Sequence, residues 1–553
     1  MIAVSLMPRS TDDALAALSR LAQSPILSAA KGGESFAVEL RLDAIQTPDL
    51  ARLLARPPCP LIVTCRPKRE GGLYDGPEQP RLELLRQAAR LGADYIDVEH
   101  DAFVPLGPVA PAKRIVSYHN FQETPPDLDA VHDRLARLGA DVVKIAVTAN
   151  HILDTVPVLR LLRAARVPTI ALSMGPRGLL TRILAPKFGA FLTYASFNEP
   201  VCHGRPCLSR AKSRDPAVPP PGSPPPAPIM LSRDPKGSAC RGRGAGHSPF
   251  NPPSEAGPGQ LPLSDMLDLY RVHRIGIATC VFGVIADPVA HSLSPRIHNA
   301  AFASLGLDAV YLPLWVEGDP AAFVRAMREF DFDGYSVTIP HKQKVMEAMD
   351  ELAPLARRVG AVNTVVRRPD GSLFGTNTDI SAGIAAIEAV VGKGWLKGKR
   401  ALLLGAGGLG RAMAFALADS GAILTITDLD LPRTESLASE VSAVAVHSAL
   451  RTPHSALAFD VVLNCSPVGM HPDVDASPLP AEMLRKDLVV YDAVYNPAET
   501  KLLRDARAAG CRTVAGIDHF LRQAVEQFEL WTGQSAPVET MRRVVTESLT
   551  PPA

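Results

Sequence analysis

Residues 401–428 read ALLLGAGGLGRAMAFALADSGAILTITD. The opening ALLL is a continuous apolar run, as a strand buried on both faces requires, and RAMAFALADSG continues with helical periodicity. Between them Gly405, Gly407 and Gly410 satisfy G-x-G-x-x-G, with Ala406, Gly408 and Leu409 in the intervening places. A second strand, ILTIT, ends at Asp428, about 20 residues on, the spacing of a dinucleotide-binding βαβ unit. The glycines permit a tight turn, and pyrophosphate is expected over the helix amino end, where free backbone amides and the dipole favour negative charge. Taken alone the motif is weak, and a glycine-rich turn of an unrelated α/β domain is the bland reading. The strand before it, the helix after it and the acidic residue at the second strand's end make it strong.

Upstream lies a set of polar residues at strand ends. From Cys280, CVFGVIADPVAHSLSPRIHNAAF joins an apolar strand to a helix start, with Ser292 and Ser294 on one side of an extended segment. Alone, these hydroxyls read as helix caps. GYSVTIPHKQKV supplies Thr338 and Lys342, AVNTVV supplies Asn363, and GTNTDISAG supplies Asp379. A lysine and a carboxylate in one cleft can share a proton and pass it to or from an alcohol. A structural salt bridge is the alternative.

Before residue 200 the texture changes to eight short β-rich runs: IAVSLM, FAVELRLD, LIVTCR, YIDVE, IVSYH, VVKIAV, TIALSM and FLTYAS. Helical patterns such as DDALAALSRLA and PRLELLRQAARLGA fall between them, so the order is β/α repeated and a closed parallel barrel is predicted. Chemistry then belongs at the carboxyl ends of the strands, where Glu39, Arg41, Arg66, Glu70, His119 and Lys144 fall. Lys144 sits among Val142, Val143, Ile145 and Ala146. Burial is expected to lower its pKa and favour a neutral amine able to form a Schiff base with a ketone. A lysine snorkelling at the rim or paired with a carboxylate fits the same strand. His119, one strand earlier, suits proton transfer next to an iminium, though a lone histidine is commonly structural.

Composition bounds the rest. With 553 residues, 46% of them hydrophobic, the chain has material for three or four domains at about 100 to 200 residues each. Lys plus Arg number 58 against 57 Asp plus Glu, a formal charge of +1, so no global field draws it to nucleic acid or anionic membrane. Small-molecule partners are expected, and oligomeric state is not legible. No run of about 18 uncharged apolar residues occurs, and the opening MIAVSLMPRSTDD soon turns polar, so neither a membrane span nor a secretory signal is expected. Eight cysteines without a C-x-x-C pair fit a reducing cytoplasm. Residues 201–256 are rich in Pro, Gly, Ser and Arg and are read as a disordered insert. Cys202, His203, Cys207, Cys240 and His247 lie there at spacings that match no compact zinc site, so no metal is expected.

The motifs ELRLD from Glu39, TCRPKREGG from Thr64, SYHNF from Ser117, GADVVKIAVTA from Gly139 and SMGPRGLLTR from Ser173 resemble, in order and spacing, the type I 3-dehydroquinate dehydratases. The resemblance covers 1–200 and resumes at GPGQLPL from Gly257, giving a barrel of 1–200 and 257–274. It implies that Lys144 forms an imine with 3-dehydroquinate, that His119 takes a proton and then protonates the departing hydroxyl, and that Glu70 orients His119. It implies further that Glu39, Arg41, Arg66 and Arg182 hold ring hydroxyls and carboxylate, with Gln260 closing over the substrate. The family's serine before this last segment is absent, Ala256 standing in its place.

The second half, with NCSPVGMHP from Asn464, YDAVYNPAET from Tyr491 and GIDHFLRQAVEQFELWTG from Gly516, closely resembles shikimate dehydrogenase. That resemblance implies a substrate lobe of 279–383 and 516–550 around a Rossmann domain of 384–515. Ser292, Ser294, Thr338, Asn363, Asp379 and Gln523 would bind shikimate with Tyr495 nearby, and Lys342 and Asp379 would form the catalytic dyad. Gly405, Ala406, Gly407, Gly408, Gly410, Asp428 and Arg433 would hold NAD(P)H. NADP-using relatives commonly place Asn-Arg-Thr where this chain has Asp428, Leu429, Asp430; an aspartate there accepts from a ribose diol and repels a phosphate, which favours NAD, while Arg433 pulls toward NADP.

The α/β fold expected is therefore a (β/α)8 TIM barrel followed by a two-lobed dehydrogenase with a Rossmann domain, an order that resembles the fused bifunctional enzyme of plants. The expected function is lyase then oxidoreductase in the shikimate pathway. The rivals are a catabolic quinate/shikimate dehydrogenase, a chain whose barrel is impaired by the insert, and a pair of metabolite-binding modules. The last has no need of proton-transfer groups.

Overall fold

Alternation along each strand decides what the N-terminal half encloses. The computed structural model describes residues 1–23, 36–197, 259–290, 292–446 and 459–549. Its first eight strands are β1 (Ile2–Leu6), β2 (Phe36–Arg41), β3 (Leu61–Thr64), β4 (Tyr95–Glu99), β5 (Lys113–Asn120), β6 (Val142–Thr148), β7 (Thr169–Met174) and β8 (Thr193–Ser196). They pair in parallel in the order β7-β6-β5-β4-β3-β2-β1-β8, so the sheet curls until its edges meet. Phe191 N–H donates to the Thr169 carbonyl at 2.8 Å across the join. This is the near-closed TIM-type barrel expected.

Because successive side chains alternate faces, the barrel interior is layered. Ala3, Ala37, Ile62, Ile115, Val142 and Ile170 fill one apolar layer. Two residues further along the same faces come Ser5, Glu39, Thr64, Asp97, Ser117 and Lys144, with Ser5 in register with Glu39, Thr64 with Asp97, and Ser117 with Lys144. A polar layer thus sits on the apolar one toward the carboxyl ends. Outside, amphipathic helices such as Glu78–Arg90 bury Leu82, Leu85, Ala88 and Ala89 against the strands.

The next sheet contains β9 (Cys280–Ala286), β10 (Ala309–Trp315), β11 (Phe332–Val337), β12 (Glu351–Leu352), β13 (Thr364–Arg367) and β14 (Leu373–Thr376), ordered β10-β9-β11-β13-β14-β12. The last is all parallel: β15 (Arg400–Leu404), β16 (Ile423–Thr427), β17 (Val444–Ala445), β18 (Val461–Asn464), β19 (Val489–Asp492) and β20 (Arg512–Val514), ordered β17-β16-β15-β18-β19-β20. Counted from β15 this is the 3-2-1-4-5-6 order of the Rossmann fold, with its switch point between β15 and β18. Helices Thr378–Val391 and Gly516–Thr532 pack on each other between the two sheets.

One apolar cluster runs from barrel residues such as Leu180 and Phe188 into Phe323, Phe330 and Leu373 of the lobe around β9–β14. Phe188 meets Phe330 edge-on with ring centres 5.5 Å apart. The nucleotide-binding sheet packs into two separate clusters, one of which also takes in Val359 and Ala361 of that lobe. The 201–256 insert, its cysteines and histidines, and Gly257 and Pro258 lie outside the described residues, which resume at Gly259.

Candidate active sites

The barrel's polar layer forms one buried ionic network. Lys144 Nζ donates to Asp97 Oδ2 at 2.7 Å and to Glu39 Oε1 at 3.4 Å, and lies 4.5 Å from the centre of the Tyr194 ring. Glu39 accepts from Ser5 Oγ at 2.6 Å and from Thr64 Oγ1 at 3.2 Å. Arg66 reaches Asp97 at 2.9 Å, Glu99 at 2.6 Å and Ser117 Oγ at 2.8 Å.

This arrangement corrects the expectation of a neutral Lys144. Burial does disfavour the ammonium, with only 6% of the residue exposed, but Asp97, Tyr194 and Glu39 outweigh it and hold its pKa above the ordinary value. Asp97 is held below the usual carboxylate range despite burial, by Arg66 and Lys144. The free site therefore carries a paired ammonium, the alternative that the strand composition had left open.

His119 behaves oppositely. Register places it two residues beyond Ser117, the partner of Lys144, hence on the same interior face. Burial, then the charges of Arg66 and Lys144, drive its pKa well below the ordinary value, leaving a neutral imidazole. Its Nδ1 lies 3.1 Å from Glu70 Oε2. Burial, with Glu99 and Asp101 nearby, pushes the Glu70 carboxyl up to about 7 against the pull of Arg66.

The other residues expected to contact substrate divide. Arg41 is fixed by two bonds to Asp43, at 2.9 and 2.7 Å. Arg182, buried on helix Leu179–Ile183, is pushed by burial down to about 10 and remains cationic at neutral pH. Gln260 is buried, and its side-chain nitrogen has no hydrogen-bond partner among the described residues. Gly259 before it has φ +73°, and a Cβ there would stand 2.6 Å from the Gly175 carbonyl oxygen, so the segment runs against the loop that follows β7.

In the second half Lys342 Nζ donates to Asp379 Oδ2 at 2.6 Å. The other carboxylate oxygen lies 3.5 Å from His519 Nε2, and His519 Nδ1 lies 2.8 Å from the Tyr491 hydroxyl. Despite burial, Lys342 and His519 hold Asp379 well below the carboxylate range. Asn377 caps helix Thr378–Val391 by accepting from Asp379 N–H, which fixes Asp379 in the first turn.

Ser292 Oγ accepts from Ser294 N–H at 3.3 Å at the start of helix Ser294–Ser304, so it serves the helix end. Asn363 Oδ1 accepts from Thr378 N–H and Thr364 Oγ1, both at 2.8 Å, and its Nδ2 donates to Thr378 Oγ1 at 3.1 Å. One amide N–H is left for a ligand. Thr338 is half-buried directly after β11, Gln523 Nε2 donates to the Phe520 carbonyl at 3.0 Å, and Tyr495 stacks on Phe520 with centres 4.4 Å apart.

The glycine loop fits a dinucleotide. Gly405 has φ +103°, and a Cβ on Gly410 would stand 1.9 Å from the Gly405 carbonyl oxygen, whereas a Cβ on Gly407 would meet nothing within 4 Å. Two glycines serve the backbone and the third opens the face above helix Gly408–Asp419. A Cβ on Gly408 would stand 3.5 Å from Lys342 Cδ, so the loop abuts the Lys342–Asp379 pair. Asp428 Oδ2 accepts from Ala406 N–H at 2.6 Å and Oδ1 from Asp430 N–H at 3.0 Å. Arg433 lies 3.2 Å from Asp430, and Leu429 is 92% exposed.

Several contributors were not singled out in the sequence. Asp97 and Glu99 were readable as carboxylates at alternate positions of YIDVE in a strand destined for burial. Tyr194 carries no local signal, and Tyr491, His519 and Gln527 lie within quoted motifs that gave them no role of their own. Gln527 accepts from Ser336 Oγ at 2.9 Å and donates to Thr364 Oγ1 at 2.9 Å, and the Tyr311 hydroxyl donates to Ser336 at 2.6 Å.

A barrel and a two-lobed nucleotide-binding unit, each with its own acid/base groups, define a two-activity enzyme, a lyase joined to an oxidoreductase. Residues 2–213 match the family model described as Type I 3-dehydroquinase, 284–365 the Shikimate dehydrogenase substrate binding domain, and 516–546 the Shikimate 5'-dehydrogenase C-terminal domain. The chain is 36% identical over 534 residues to the chloroplastic bifunctional 3-dehydroquinate dehydratase/shikimate dehydrogenase of Arabidopsis thaliana, covering 92% of this chain and 80% of that one. It is 42% identical to the NADP(+) shikimate dehydrogenase of Methanosarcina mazei, over 49% of this chain and 98% of that one. A solved shikimate 5-dehydrogenase from Thermus thermophilus, in complex with NADP(H) and shikimate, is 36% identical over 49% of this chain and all of that one, with a TM-score of 0.44. The chain belongs to the family of bifunctional 3-dehydroquinate dehydratase/shikimate dehydrogenases, enzymes of the shikimate pathway. Among the described residues no helix is long and apolar enough to cross a membrane.

Proposed function

We propose that the barrel dehydrates 3-dehydroquinate through an imine on Lys144. The supporting observation is the pairing, on one interior face, of an ammonium held by Asp97 and Glu39 with a neutral His119. Lys144 loses its proton to attack the ketone, water leaves, and the iminium stabilises a carbanion beside it. His119 takes the carbon-bound proton on Nε2 and returns it to the departing hydroxyl, which leaves as water; hydrolysis of the imine then frees Lys144. Glu70, ionised, accepts from Nδ1–H and keeps Nε2 free to act as base. Glu39, Arg41, Arg66, Arg182 and Gln260 hold the ring hydroxyls and carboxylate.

The second site takes the product, 3-dehydroshikimate. Ser292, Ser294, Thr338, Asn363 and Gln523 would bind its polar groups beside Tyr495, and Lys342, its proton shared with Asp379, would protonate the new alkoxide. The residues lining the loop from Gly405 to Gly410 fit a nicotinamide dinucleotide, which when bound supplies the hydride. NAD is the better match on charge: Asp428 is fixed as an acceptor, and Asp430 already engages Arg433. The relative from Methanosarcina mazei carries NADP(+) in its name, so steady-state kinetics with shikimate and each oxidised cofactor is the test, and a clearly higher kcat/KM with NADP refutes the preference.

The division into 1–200 with 257–274, then 279–383 with 516–550, around 384–515, follows these two sites. Balanced charge supports small-molecule partners. The free Cys59, Cys65, Cys280, Cys465 and Cys511 support a reducing compartment such as the cytoplasm. Purified protein given 3-dehydroquinate and reduced cofactor should produce shikimate; substrate consumption without a borohydride-trapped adduct on Lys144 refutes the imine.

A further inference from the structure

The two catalytic halves meet at the mouth of the barrel. Glu317, just beyond β10 in the dehydrogenase half, accepts from Arg177 Nε at 2.5 Å through its side chain, and its carbonyl oxygen lies 3.1 Å from His151 Nε2. Arg177 also lies over Trp315, its Cζ 4.6 Å from the ring centre, and Trp315 Nε1 donates to Asp287 Oδ1 at 3.0 Å. His151 caps the turn after β6, the strand of Lys144, and Arg177 lies in the turn Pro176–Gly178 after β7. One residue of the dehydrogenase therefore holds two loops at the barrel's carboxyl face.

The β7 loop is stiff on its barrel side. Thr181 Oγ1 accepts from Ser173 N–H at 2.9 Å and donates to the Gly178 carbonyl at 2.8 Å, tying the strand end to helix Leu179–Ile183, which carries Arg182. Gly175 in the same loop abuts Gly259, the residue before Gln260. The turn that carries Arg177 is thus continuous with the helix of Arg182 and in contact with the segment of Gln260. On the dehydrogenase side, Asp287 begins the segment leading to Ser292 and Ser294, and Val316 N–H donates to the Ala286 carbonyl at 3.1 Å.

We infer that Glu317 and Trp315 are positioning residues for the dehydratase, supplied by the dehydrogenase half, which act through Arg177 to set Arg182 and Gln260 against the substrate. The inference rests on the reading that Arg182 and Gln260 bind 3-dehydroquinate. Neither Glu317 nor Arg177 is among the groups assigned to the substrate, and partly exposed ion pairs add little to global stability. The effect belongs in KM, because the groups being placed bind the substrate and do not move its protons.

The test uses the full chain and measures both reactions separately. E317A and R177A are each expected to raise the dehydratase KM about tenfold, equivalent to about 1.4 kcal/mol of substrate binding, with kcat and the pH profile little changed and the dehydrogenase constants unaltered. The charge-swapped double variant R177E/E317R is expected to recover most of the wild-type KM. R182A serves as the control on the underlying reading. If R182A raises KM while E317A and R177A do not, the bridge is refuted and the substrate site stands; if R182A itself leaves KM unchanged, the substrate assignment falls and the inference with it. Equal losses in both reactions on E317A would indicate general damage and would also overturn it.

Discussion

Replacing Asp97 by Asn removes one charge from the Lys144 network at nearly constant volume. At 2.7 Å the Asp97–Lys144 attraction amounts to about 6 kcal/mol at an effective dielectric of about 20, and Glu39 at 3.4 Å adds about 5 kcal/mol. Losing the Asp97 share, somewhat more than half of this, while the desolvation cost stays should lower the Lys144 pKa by about 4 units, at about 1.4 kcal/mol per unit. Arg66 keeps Glu99 as a partner at 2.6 Å, so the variant does not strand a guanidinium. The readout is the rate at which 3-dehydroquinate is trapped on Lys144 by cyanoborohydride, followed by mass spectrometry as pH is varied. In the wild type, where the ammonium persists to high pH, the trapping rate should climb about tenfold per pH unit throughout. In D97N it should be higher at neutral pH and level off within the measured range. Superimposable profiles would show that Asp97 does not set the charge on Lys144, and the account of the network would fail.

Glu70 titrates near neutrality, so dehydratase kcat/KM should rise with pH through about 7 as Glu70 ionises and Nδ1 of His119 becomes the donor, and E70Q should abolish that limb. Because the folded-state pKa is raised, the folded protein binds the extra proton between the ordinary value of 4.5 and about 7, and stability falls as pH rises across that window; E70Q should remove the slope and raise stability above pH 7 in a denaturant titration. K342A or D379N should cut dehydrogenase turnover by about two to four orders of magnitude while dehydration continues, and parallel loss of both reactions in a folded variant would contradict separate sites. D428N should move cofactor preference toward NADP, read as the ratio of kcat/KM values; an unmoved ratio would remove Asp428 from the selectivity argument. Q527L should raise the KM for shikimate about tenfold by releasing Thr364 and Ser336 beneath Asn363, and an unchanged KM would make that network purely structural.

The barrel was legible because alternation and β/α repetition are local properties, and the glycine loop because its spacing is a backbone requirement visible within one βαβ unit. Lys144 and His119 were legible as positions, but the charge on Lys144 was not. Its partner Asp97 is far away along the chain, on a strand two places away in the sheet, so only the closed barrel brings them together. Burial, read from Val142–Ala146, gave the wrong sign once two carboxylates and Tyr194 entered the balance. His519 and Tyr491 escaped for the same reason, since the sheet and the returning helix that bring them to Asp379 are set by tertiary packing. Arg177 and Glu317 belong to different enzymes by motif, and nothing in either motif points to the other.

The apolar cluster that joins the barrel to the lobe around β9–β14 separates the unit of catalysis from the unit of cooperativity. Separating the two enzymes by a cut near residue 277 would uncover Phe330 and Phe188, each costing about 2 kcal/mol in lost burial, whereas the nucleotide-binding sheet, packed in clusters that contain no barrel residue, would keep its interior dry. Calorimetry of the intact chain should therefore show the dehydratase melting together with half of the dehydrogenase, and two genes made by dividing this one at the motif boundary would each inherit an adhesive face that the fusion had hidden.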